Sequence, residues 1–175
     1  VGLYAVYCQT KFNFAVSEAG IFTILNVIAA GSASFVAGKL GDKFGHKTSM
    51  MLAYLGHFIA VLLAIFAQNM FWVYGIFISI GVGQGAFMPS AMNLIYDFAN
   101  ERDTKTYMAL VDSFLAPFVL IFIMGIGALV QGSNYTTSLY ILGTSIILGM
   151  LILQFIVRDP KLSAEASFHV DGFSS

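Results

Sequence analysis

Charge is scarce in this sequence. Asp, Glu, Lys and Arg make up only 10% of 175 residues against 58% hydrophobic, and the mean hydropathy is +0.84. A soluble domain carries about 25% charged residues, so 8 Lys+Arg and 9 Asp+Glu cannot solvate a globule this apolar. The net charge of −1 comes with no basic face, which excludes a nucleic-acid surface. A single cysteine, Cys8, excludes an internal disulfide and a cysteine-based metal cluster. The sequence opens on Val1 inside an apolar stretch, with neither Met nor a basic leader region, so no signal peptide is visible. The expectation is a downstream piece of a longer protein. There is no Ser/His/Asp arrangement, no catalytic carboxylate pair and no metal-ligand spacing. Neither an enzyme nor a cofactor is expected.

What is present is long apolar runs. Seventeen Phe, eight Met and seventeen Gly suit helices packed in lipid, where small residues let backbones approach. Runs long enough to span a bilayer, at about 20 residues each, fall at 19–37, 48–67, 70–96, 106–130 and 136–157. Residues 1–10 read as the last turns of a further, truncated span. Membrane strands need only about 10 residues and alternate in polarity; these runs are apolar on all faces. The expected fold is all-α, a polytopic transmembrane bundle, with a polar tail over 158–175 that Pro160 separates from the last helix.

Orientation follows from the positive charges. Lys39, Lys43 and Lys47 fall in the connection at 38–47, Arg102 and Lys105 in that at 97–105, and Arg158 and Lys161 in the tail. The alternate connections at 68–69 and 131–135 carry none, and only Lys11 falls on the other side. The three charged segments are therefore expected in the cytoplasm and the protein in the plasma (inner) membrane. Asn134-Tyr135-Thr136 matches a glycosylation acceptor pattern but abuts the membrane, and reads as turn chemistry.

Residues 38–47, GKLGDKFGHK, gather three lysines, an aspartate, a histidine and three glycines between two apolar runs. The glycines permit a tight reversal at positive φ, and Asp42 is suited to free N–H groups at a helix N-terminus. In Gly38, Leu40, Asp42, Lys43, Gly45 and Lys47, with Phe44 between them, this stretch resembles the recurrent loop of the major facilitator superfamily of secondary transporters. His46 stands where that family usually has Arg, and Lys43 and Gly41 also replace commoner residues. The resemblance implies the C-terminal six-helix half of a twelve-helix transporter, with the 38–47 segment gating the cytoplasmic side. It also implies, as partners, a small-molecule solute moved by alternating access, a coupled proton or ion, the lipid bilayer and the missing N-terminal half. The alternative is a receptor or scaffold that keeps the fold without transport.

By the same resemblance the truncated span and those at 19–37, 70–96 and 106–130 face a central cavity. On the first full span, Thr23, Asn26, Ala30, Ala33 and Ala37 share one stripe at helical spacing, suited either to water or to a closely packed neighbour. On the span at 70–96, Gly81, Gly83 and Gly85 weaken the helix and Pro89 removes a hydrogen bond to residue 85. Gln84 and Asn93 lie about 180° apart on an ideal helix. One of them then faces packing rather than a path, unless Pro89 rotates the lower half. Kinks are expected at Pro89 and Pro117, and Asp112, ahead of Pro117, lies about 9 Å deep at about 1.5 Å per residue. It reads as either a structural group near the cytoplasmic gate or a solute or proton site. His57 reads as peripheral and neutral.

Overall fold

The computed structural model describes residues 2–98, 104–131 and 135–157. Six helices follow in order: α1 (Gly2–Phe12), α2 (Val16–Phe44), α3 (His46–Phe66), α4 (Met70–Phe98), α5 (Thr104–Gln131) and α6 (Tyr135–Phe155). Among the described residues there is no strand, and α2 to α6 are each long and apolar enough to cross a membrane. At about 1.5 Å per residue, the 11 residues of α1 cover only about 16 Å of a hydrocarbon core of about 30 Å. Arg102, Asn134, Arg158 and Lys161, and with them the tail, lie outside the described residues.

Local chemistry explains the turns at one end of the bundle. Asn13 adopts a left-handed conformation (φ 48°) and closes α1 with a bond from its N–H to the Gln9 carbonyl, 2.8 Å. The Glu18 carboxylate reaches back to accept from the Ala15 N–H at 2.7 Å, satisfying a donor at the start of α2. Asn69 caps α4 through its side-chain oxygen, which accepts from the Phe71 N–H at 3.1 Å.

At the opposite end the expected ten-residue loop does not exist. Helix α2 continues through Lys39, Leu40, Asp42 and Lys43 to Phe44, α3 begins at His46, and Gly45 alone separates them at φ 87°, ψ 152°. The Gly45 N–H still bonds the Gly41 carbonyl at 3.0 Å. One residue in a glycine-only conformation is enough to reverse the chain, so Gly38 and Gly41 are helical. Asp42 consequently lies in the last turn of α2 rather than at a helix N-terminus. An anion there opposes the helix macrodipole, so helix stability does not explain its charge.

Helix α4 is the centre of the bundle, sandwiched between α2 and α3. Gly81 and Gly85, one turn apart on one side, meet α2 at Asn26–Ala29 and Ala30 respectively. Gly83, on the other side, meets Gly56 and the His57 ring of α3. A Cβ at any of the three would collide with the facing helix. These glycines therefore set helix contact rather than merely weakening α4. Ala33, Ala37, Ala53 and Ala60 are buried along the same two seams. At the Asn69 end Phe22 is fully buried against Phe14, Tyr74 and Phe77, with ring centroids 5.1–5.2 Å apart. Helix α6 packs on the far side of α3, where Gly149 lies against the Tyr54 ring. Helix α5 has no buried residue in its apolar window.

Candidate functional site

Two places on this scaffold combine polar chemistry with unusual backbone: the middle of α3 and α4, and the Gly45 end. In the middle, α4 runs unbroken through Pro89. Proline at 89 cannot donate to the carbonyl of residue 85. The Ser34 hydroxyl of α2 donates to that carbonyl instead, at 2.7 Å. The freed acceptor thus becomes an interhelical bond, which is how a membrane helix tolerates proline. Further along the seam, the Asn26 amide donates to the Phe77 carbonyl at 3.0 Å. Asn26 is held between helices, and Ala33 and Ala37 of its stripe are buried. Thr23 instead donates back to Ala19 of its own helix.

Gln84 points to the other side. It lines an open cavity of about 470 Å³ together with Tyr54 and His57 of α3, Phe87 and Met88 of α4 and Ile146 of α6. His57 also borders a second cavity of about 580 Å³, between Tyr4 of α1, Phe122 and Gly127 of α5, and Leu142 of α6. The His57 ring rests on Gly83, and its Nδ1 lies 2.9 Å from the Ala53 carbonyl. A carbonyl only accepts, so Nδ1 carries the hydrogen, and in the neutral ring Nε2 is the acceptor. The buried Tyr4 hydroxyl borders the second cavity and has no partner among the described residues. His57, read from the sequence as peripheral and neutral, lies between these two cavities of the bundle. Its closeness to Gly83 was invisible because the two lie on different helices.

Asn93 is half-buried on α4, away from the residues that line the Gln84 cavity. Asp112 is exposed on α5, which is continuous through Pro117, and none of the other candidate polar residues is brought to it. The geometry joins Gln84 to His57 and Tyr54. It leaves Asn26, Asn93 and Asp112 apart from that group.

At the Gly45 end, the His46 side chain is buried and rests where a Cβ of Gly41 would lie. Its Nε2 is 3.9 Å from a carboxylate oxygen of Asp97 in the last turn of α4. Nearby, the Ser49 hydroxyl donates to the Ala37 carbonyl at 2.7 Å, tying α3 back to α2. Lys47 donates to the Gln154 carbonyl of α6 at 2.9 Å. Sequence reasoning missed Asp97; the hint was a charge at the end of a span whose far end carries none.

Comparison with known proteins decides the family. The profile described as Major Facilitator Superfamily matches residues 1–172. This chain belongs to the Major Facilitator Superfamily. It is 29% identical over 173 residues to the uncharacterized MFS-type transporter YqjV of Bacillus subtilis, covering 93% of this chain and 40% of that protein. It is 26% identical over 98 residues to the niacin transporter NiaP of Acinetobacter baylyi, covering 56% of this chain and 22% of that protein. The chain therefore spans less than half the length of either relative. With five helices among the described residues long and apolar enough to cross a membrane, this superfamily member is an integral membrane protein.

Proposed function

We propose that this chain is the C-terminal half of a secondary transporter that moves a small solute by alternating access. The observation that carries the reading is the superfamily match over residues 1–172, which includes the GKLGDKFGHK segment. The shape of the half-bundle supports it. α2, α3 and α4 are locked by glycine contacts into one unit, while the faces of α5 and much of α2 are apolar and uncovered. An upstream half would cover them, and the rocking of two rigid units would open a path alternately to each side. The Gly45 end is cytoplasmic in this reading, with Asp42 contacting the upstream half in one of the two states. Gln84 and His57, with the cavities beside them, are the groups we assign to the solute or proton path. Asp112 is a further candidate at the uncovered face of α5.

The name of the Acinetobacter relative makes a small pyridine carboxylate the first solute to try. The test is binding and uptake by the full-length protein in proteoliposomes, with nicotinate, amino acids, sugars and organic acids as solutes, with and without a proton gradient. Saturable uptake of one class supports transport. Binding without uptake under any gradient favours a receptor with the same fold.

A further inference from the structure

The geometry points to His46 as a proton-binding site that clasps the α2–α3 turn to the end of α4. Three observations carry this, and none depends on transport. The ring is held in one place, packed where Gly41 lacks a side chain and with most of its surface hidden from water. Its Nε2 faces Asp97 across 3.9 Å, at the outer limit of an ion pair. Its buried Nδ1 has no hydrogen-bond partner among the described residues.

The consequence follows from histidine chemistry. An imidazole changes charge in the range from about pH 5 to 8, whereas carboxylates stay ionised over it. At 3.9 Å a neutral ring makes no hydrogen bond to Asp97. An imidazolium attracts the carboxylate, and that attraction grows as the two approach. Proton binding and closure of the α4 end onto the turn are therefore linked: each favours the other by the same factor. The sign is definite. Closure is promoted as pH falls and relaxes as it rises. An arginine here would carry its charge at every pH and could not switch.

Among the described residues, the other charged groups of this end lie on neighbouring elements. Lys39, Asp42 and Lys43 are on the exposed final turns of α2, and Lys39 and Lys43 lie over the rings of Phe35 and Phe44. Lys47, next on α3, is engaged with Gln154 of α6. Lys105 is exposed in the first turn of α5. From α4, Asp97 is the charged group facing the ring.

The test uses the full-length protein with its cysteines replaced, spin-labelled at Thr48→Cys and Phe98→Cys and held in lipid nanodiscs, so that both faces see the same pH. Both positions are exposed. Distances measured by pulsed electron resonance should show the ratio of short to long separations rising roughly two- to fivefold from pH 8 to pH 5.5, the range for a partly exposed ion pair. Both His46→Gln and Asp97→Asn should abolish the dependence. Asp97→Asn leaves His46 in place, so it decides the matter if His46→Gln does not fold. A wild-type distribution that ignores pH overturns the proposal, as does a dependence that survives in Asp97→Asn.

Discussion

Two residues show how a single backbone demand can set a membrane helix pair. Gly45 at φ 87°, ψ 152° occupies a region essentially closed to other residues, where strain costs about 1–3 kcal/mol. Gly45→Ala should therefore lower the stability of the full-length protein by about that amount, and Gly45→Asn should not rescue it. Thermal unfolding in detergent reads both. Gly85 faces a different constraint, since its missing Cβ is what lets α2 reach it at Ala30. Gly85→Ala should separate the two helices and weaken the Ser34 bond to the Gly85 carbonyl, costing about 1–3 kcal/mol by overpacking. Ser34→Ala keeps the packing and removes only that bond. The effect expected is about 0.6–2 kcal/mol, the size of interhelical hydrogen bonds in membranes. A Ser34→Ala loss as large as that of Gly85→Ala would mean that the orphaned carbonyl, not the contact, dominates.

At the scale of elements, the α2–α3 turn is where sequence and structure differ most. Asp42 is exposed in the last turn of α2, against the macrodipole, and in the proposed function it contacts the upstream half in one of the two states. A charge-assisted contact made in one state is worth about 1–2 kcal/mol, a roughly five- to thirtyfold bias. Asp42→Asn should therefore cut transport strongly while leaving equilibrium solute binding and expression nearly unchanged. Initial uptake rates beside binding isotherms check it. Orientation is open to test by impermeant thiol labelling in intact cells. Phe71→Cys should label from outside and Lys43→Cys only after permeabilisation. Gly41 is unsuitable for a label because His46 fills its space. The spans were legible from apolar length alone, which in lipid admits helices and little else. The turn was not, because glycine and charge together look like loop. In fact Gly38 and Gly41 are helical and one glycine makes the reversal. Within the site, Gln84 could be named from its polarity in a greasy run. Its grouping with His57 and Tyr54 could not, since those residues come from another helix. The pairing of His46 with Asp97 was hidden in the same way.

Among the described residues the bundle is well packed around α4, while α5 is bare. Large apolar residues along α5, among them Leu120, Ile121 and Ile123, are more than half exposed, and lipid or a second half must cover them. Under alternating access a second half covers them, and the solute path depends on both halves. The most direct measurement is solute uptake by three preparations reconstituted at equal density: the full-length protein, its Asp42→Asn variant, and residues 1–175 alone. A path shared between two halves predicts saturable uptake by the first, a roughly five- to thirtyfold slower rate for the second, and none by the third. Uptake by residues 1–175 at the full-length rate, from preparations shown to be monomeric, would contradict it.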